Sequence, residues 1–171
     1  MEQINNMYPD NKEGMYELLL AQLKAMLEGE QDIIANLSNA SALLNQALKE
    51  INWVGFYLMR QGSLILGPFQ GKVACIHIPV GRGVCGTAVK EGKTQVVKDV
   101  HEFPGHIACD SASNSEIVVP IKKDGTIFGV LDIDSPILQR FDHVDAEYLE
   151  QFVSLLVEGC KWMSSIQYDF C

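Results

Sequence analysis

The sequence has no run of apolar residues near the length of a membrane span, so no membrane segment is expected. Its opening residues, Met1 to Gly14, are polar and acidic and contain no apolar h-region. No secretory signal is therefore expected, and the expected location is cytoplasmic. Basic residues are scarce, 13 Lys and Arg against 22 Asp and Glu, for a net charge of −9 and a pI near 4.8. That balance argues against nucleic acid and anionic membrane as partners, since both need clustered cations. No Walker pattern is present, and the Gly81-Arg82-Gly83 turn alone is a weak phosphate signal. The five cysteines include no close C-x2-C pair of the kind structural zinc uses, so no metal and no cofactor are expected. In a reducing compartment they are not a disulfide scaffold either, which leaves catalysis, redox chemistry or inert burial.

What is present reads as one domain over residues 1–171. The hydrophobic fraction is 47%, enough for a sizeable core. Tyr16, Leu19, Leu20, Leu23 and Leu27 recur at helical spacing and predict a helix over 12–28. Ile33, Leu37, Ala40, Leu44 and Ala47 predict a second over 31–49. From Ile51 the texture becomes aromatic and β-branched: Ile51–Leu58 and Ser63–Pro68 read as strands around a Gln61-Gly62 turn. Val73–Ile78 alternates and is expected to be a strand with Cys75 and His77 on one side. Val84–Lys90 predicts a short helix ended by Gly92, with Cys85 in its first turn. Thr94–Val97 and Ile117–Ile121 are further strands, and Asp124-Gly125 is a hairpin signal leading into Thr126–Asp134. Asp142 is a plausible N-cap for a closing helix over about 142–163 with Leu149, Phe152, Val153, Leu156, Cys160 and Met163 on its apolar face. The sum is an α+β domain with a largely antiparallel sheet: helices over about 12–49, sheet and loops over about 51–134, then the closing helix. Cys160 is expected in the core, and Cys171 is expected to be silent.

The chemistry concentrates in the loop His101–Val119. It carries Cys109 in a polar setting, His101 and His106 before it, small hydroxyl and amide residues after it, and Glu116 at the entry to an apolar strand. Such a segment has little to offer a core. The plain alternative is a surface loop with a bystander cysteine. Asp132 and Asp134 lie two apart on one strand, so both project from the same face, which is costly if buried without a cation and unremarkable at a solvated strand end. A thiol redox site fits Cys75, Cys85 and Cys109 best. A thiolate attacks an oxidised substrate, becomes a sulfenic acid, and is resolved by a second cysteine as a disulfide. His106 is near enough in sequence to help lower the pKa of Cys109.

Three blocks carry a family resemblance: Gly83-Val84-Cys85-Gly86-Thr87-Ala88, the long run Phe103–Glu116 around Cys109, and Gly129-Val130-Leu131-Asp132-Ile133-Asp134-Ser135. They closely resemble the free methionine-(R)-sulfoxide reductases, enzymes built on a GAF domain, and the resemblance runs from about Tyr16 to Phe152. It implies an antiparallel sheet with helices on both faces, and reduction of free methionine-(R)-sulfoxide to methionine with electrons from thioredoxin. It implies Cys109 as nucleophile, with Cys75 and Cys85 in resolution or disulfide relay and Cys75 the direct partner. It implies Glu116, Asp132 and Asp134 lining the substrate pocket with Trp53 as its hydrophobic wall, and a homodimer.

The residues make these roles chemically sensible. Expelling oxygen from a sulfoxide needs a proton, and clustered carboxyls raise one another's pKa so that one stays protonated. The same cluster, ionised, can take an ammonium, and an indole can cover a methyl group and a partly positive sulfur. A GAF module that binds a small molecule without catalysis is the alternative reading.

Overall fold

The structure is a computed structural model and describes residues 7–107 and 110–162. Four helices and six strands follow one another as α1 (Lys12–Leu27), α2 (Ile33–Ala47), β1 (Trp53–Arg60), β2 (Ser63–Gly71), β3 (His77–Pro79), α3 (Gly83–Glu91), β4 (Gln95–Val97), β5 (Ser115–Lys123), β6 (Thr126–Ser135) and α4 (His143–Gly159). A 3-10 turn, Val100–Glu102, sits between β4 and β5. The strands form one antiparallel sheet in the order β3-β2-β1-β6-β5-β4.

Local chemistry sets the element ends. Asn11 and Asp32 accept from Gly14 N and Ala35 N at the starts of α1 and α2. Asp142 and Asp145 form a reciprocal capping box at the start of α4. Both predicted hairpins are two-residue turns: Gln61-Gly62 joins Arg60 to Ser63, and Asp124-Gly125 joins Lys123 to Thr126. All four turn residues have positive φ, which tightens the chain in the sense that matches strand twist.

Strand parity then divides the molecule. Val54, Phe56 and Leu58 of β1, Ile117, Val119 and Ile121 of β5, and Leu131 and Ile133 of β6 face α1, α2 and α4 and form the main core. Leu19, Leu23, Leu37, Leu44, Phe152 and Leu156 are wholly buried against them. Each such side chain contributes roughly 1.5–3 kcal/mol from removal of apolar surface from water. The opposite parity, Trp53 and Tyr57 of β1, Val118 of β5 and Val130 of β6, faces α3 and the loops and builds a second, smaller core. Helices thus cover both faces, as expected. Cys160 is buried in the main core. Met163 and Cys171 lie outside the described residues.

One expectation is corrected. Only His77–Pro79 is strand; residues 73–75 carry no strand pairing, Ile76 O accepts a hydrogen bond from Leu66 N of β2, and Cys75 precedes the strand. His77 is exposed and does not share a buried face with Cys75. The apolar residues that suggested a longer strand include Val73 and Ile76, which are exposed.

Candidate active site

The smaller core ends in a polar cavity bounded by the sheet, the start of α3 and the loops around Ala74 and Ile107, about 530 Å3 including the space that opens to solvent. Its floor follows from strand pairing. On β6, Asp132 and Asp134 share the parity of Val130 and so point away from the main core. Asp134 is paired with Trp53 on one side and Glu116 on the other, and Asp132 with Gly55 and Val118. Three carboxyls and one indole are therefore neighbours by register alone. Glu116 and Asp132 are each 6% exposed, so the solvated reading of this strand end does not hold.

Gly55 shapes the wall. A Cβ there would meet Phe69 Cβ at 2.3 Å and Trp53 Cη2 at 2.8 Å. Its absence lets the Trp53 ring fold back over the strand and stack with Phe69 and Tyr57. Trp53 Nε1 donates to Lys72 O at 3.1 Å, and the Tyr57 hydroxyl donates to Cys75 O at 3.0 Å. The two aromatics thus anchor the segment that carries Cys75. Cys75 is disulfide-bonded, and its partner is not among the described residues. Cys109 itself lies outside them, but Ile107 and Asp110 on either side line the cavity.

The electrostatics follow from burial. Glu116 and Asp134 are pushed well above the usual carboxylate range, first by desolvation and then by the charge of Asp132. Asp132 rises to about 6 through desolvation, restrained by hydrogen bonds from Glu116 and Cys85. Burial thus favours the protonated forms of Glu116 and Asp134, while Asp132 ionises near 6. Among the described residues no lysine or arginine pairs with any of the three.

Cys85 sits in the first turn of α3, where the helix dipole favours a thiolate. Burial and the charges of Asp132 and Glu116 outweigh the dipole and push this thiol well up. Sγ of Cys85 and carboxyl oxygens of Glu116 and Asp132 all lie within 4.8 Å of one another. Glu116 and Cys85, both raised well above their ordinary pKa values, are poor ligands for a divalent cation, because binding would have to displace their protons.

His106 Nε2 is 3.8 Å from Glu116 Oε2, beyond hydrogen-bond reach. Its pKa is lowered by burial and by His101. Cys109 lies outside the described residues, so the structure leaves the expected help of His106 to that thiol as an expectation. His101 is exposed and faces Asn114, away from the cluster.

Sequence reasoning missed a supporting group. Asn52 Nδ2 donates to Asp110 Oδ2 and Ser113 Oγ, each at 3.1 Å, and Ser113 in turn hydrogen-bonds Asp134. Asp110 also caps Ala112 N and lies 3.8 Å from Lys72 Nζ. Its pKa is lowered, chiefly by the Ala112 amide. This chain ties the end of the Cys109 loop both to the carboxyl floor and to the Cys75 segment. Only the adjacency of Asp110 to Cys109 hinted at it. Tyr57 was legible, since it shares parity with Trp53.

Comparison with known proteins bears directly on this constellation. Residues 38–158 match the GAF domain family. The free methionine-R-sulfoxide reductase of Escherichia coli is 53% identical over 85% of this chain and 88% of its own length. The fRMsr of Staphylococcus aureus, solved in complex with substrate, is 61% identical with a TM-score of 0.81, covering 84% of this chain and 94% of that one. The chain belongs to the GAF-domain free methionine-R-sulfoxide reductases. The reductase of Neisseria meningitidis, also solved with its substrate, superimposes with a TM-score of 0.86 at 46% identity, over 88% of this chain and 91% of that one.

Proposed function

We infer that this chain, a single GAF domain, is an oxidoreductase that reduces free methionine-(R)-sulfoxide to methionine. The observation that carries the reading is the buried floor of Glu116, Asp132 and Asp134 beneath the Trp53 wall, next to a disulfide-bonded Cys75.

The substrate's α-ammonium is received by Asp132, the acid that ionises near 6 and so carries charge at neutral pH. The neutral carboxyls of Glu116 and Asp134 donate hydrogen bonds, and one of them delivers the proton that the departing oxygen needs. Trp53 covers the methyl and sulfur.

Cys109 is the nucleophile. Its thiolate attacks the sulfoxide sulfur, oxygen passes to the cysteine with uptake of a proton, and methionine leaves with Cys109 as sulfenic acid. The thiol of Cys75 then attacks that sulfur, water departs, and a Cys75–Cys109 disulfide forms. The disulfide-bonded state of Cys75 supports this pairing. The raised pKa and burial of Cys85 weigh against it as first resolver and leave it a later relay. Thioredoxin, a dithiol, returns the pair to thiols. The enzyme acts in the cytoplasm as a homodimer.

The test is direct. Protein incubated with racemic free methionine sulfoxide and dithiothreitol should convert one half to methionine and leave the S-epimer, as read by amino-acid analysis. Recovery of all the sulfoxide would leave a GAF module that binds without catalysis.

A further inference from the structure

Asn52 is the last residue before β1, one place ahead of the Trp53 wall. Its stretch of backbone is held at three points. Arg140 Nε donates to Lys49 O at 3.1 Å, Ser135 Oγ donates to Glu50 O at 2.6 Å, and Asn52 N donates to Asp134 O at 3.0 Å. A side chain on such a mount has a fixed aim. Nδ2 of Asn52 spends its two hydrogens on Asp110 Oδ2 and Ser113 Oγ. Its Oδ1 is enclosed and has no partner among the described residues. The two donors therefore hold this side chain where it is.

The two contacts fix the sense of a longer chain. The pKa of Asp110 is lowered, so its carboxylate only accepts, and Oδ1 already takes the Ala112 amide. A nitrogen must therefore face Oδ2. Ser113 is buried and has one hydroxyl hydrogen. With Asn52 donating to the Ser113 oxygen, that hydrogen is left for Asp134, where it opposes the rise caused by burial. Asp110 directly follows Cys109 in the chain, and Asp134 lines the cavity. One amide thus grips the neighbour of the nucleophile and, through Ser113, a carboxyl of the floor.

We propose that Asn52 is a positioning residue for the reaction: its side-chain amide fixes the loop that carries Cys109 against the carboxyl floor and directs the Ser113 hydrogen to Asp134. This rests on the sulfoxide reductase reading. Asn52 acts through Asp110 on kcat and through Ser113 on KM. Asn52→Asp keeps the shape and removes both donors. The new carboxylate repels Asp110 and draws the Ser113 hydrogen away from Asp134. Asp110→Asn alone sets two NH2 groups face to face. The two changes together remake the loop contact with donor and acceptor exchanged, because the new amide at 110 keeps its oxygen for Ala112 and gives its NH2 to the carboxylate at 52. They do not return the Ser113 hydrogen to Asp134.

The experiment measures steady-state kinetics on the full chain with free methionine-(R)-sulfoxide and dithiothreitol, alongside hydrogen exchange over residues 110–113 by mass spectrometry. Asn52→Asp and Asp110→Asn should each lose about tenfold or more in kcat, because a small misplacement of a reacting group is costly. Both should also exchange faster over 110–113. Ser113→Ala should keep kcat within twofold and raise KM about threefold or more. The double variant should regain most of the kcat and the wild-type exchange rate, with KM still raised as in Ser113→Ala. A residue that only supports the fold would lower kcat and melting temperature together and would not be rescued by the exchange of partners. Wild-type kcat in Asn52→Asp, or a double variant no faster than the single ones, overturns the proposal. If Asn52→Asp does not fold, Asp110→Asn and Ser113→Ala decide it, and an unchanged kcat in the first or an unchanged KM in the second overturns it. Absence of methionine from the wild type is a different failure, that of the reductase reading itself, and the exchange rates then decide whether Asn52 holds the loop.

Discussion

Glu116 and Asp134 stand directly opposite each other on neighbouring strands, the first buried and the second half-buried. Like charges in that relation destabilise a sheet, and protons on these carboxyls remove the repulsion. Burial first, and the charge of Asp132 second, raise both carboxyls in the same direction.

Selectivity for the free amino acid is the first prediction. A peptide-bound or N-acetylated residue presents a neutral amide where the ammonium would sit. Loss of two charged hydrogen bonds, roughly 1.5–3 kcal/mol each, should lower kcat/KM on the order of 10²-fold or more. Steady-state comparison of methionine sulfoxide with its N-acetyl derivative measures it. Equal values would mean that the carboxyls do not read the ammonium.

Asp132→Asn should raise KM while making the protein more stable above mild acidity. The Asp132 carboxyl ionises near 6 in the fold against 3.8 in an open chain, so the folded state binds more protons between those values. The stability this group contributes is complete below 3.8 and is lost as pH rises through about 6. Asparagine does not titrate. The melting temperature of Asp132→Asn relative to wild type should thus climb from about pH 4 to about pH 7, by on the order of 5 °C. A constant difference across that range would contradict the raised pKa.

The cysteines separate by role. Cys109→Ser should abolish turnover. Cys75→Ser should yield one methionine per enzyme molecule and then fail to cycle with thioredoxin. Cys160→Ser should retain nearly full rate, since that thiol lies in the main core, away from the cavity. Peptide mapping of oxidised protein should give the 75–109 pair; a dominant 85–109 pair would make Cys85 the direct resolver.

Gly55→Ala places a methyl group on Phe69 and on the Trp53 ring. Both the strand and the indole must move, at a cost of about 1–3 kcal/mol for an overpacked site. Thermal melts should show that loss, and KM should rise because the wall of the pocket is displaced. An unchanged KM with lowered stability would mean that Trp53 does not bound the substrate.

Much of this architecture was legible because periodicity records burial. The stripe Tyr16–Leu19–Leu23 had to be a helix against a core, and Asp124-Gly125 had to reverse the chain. Asp132 and Asp134 had to share a face, since a strand alternates with period two. Residues 73–76 show the limit: apolar alternation signals burial only where a second layer arrives, and here Val73 and Ile76 stay exposed.

The sequence by itself determined the elements, the sharing of one face by Asp132 and Asp134, and the loop in which Cys109 lies. Tertiary structure decided which residues meet. Register across β1, β6 and β5 set Trp53, Asp134 and Glu116 side by side, though they are far apart in the chain. Burial then decided their chemistry, raising the pKa of Glu116 and Asp134 and lowering that of His106. The physical reason is that pairing and desolvation are properties of the surroundings. A residue carries its ordinary pKa in the sequence, and only the neighbours that the fold brings to it can move that pKa.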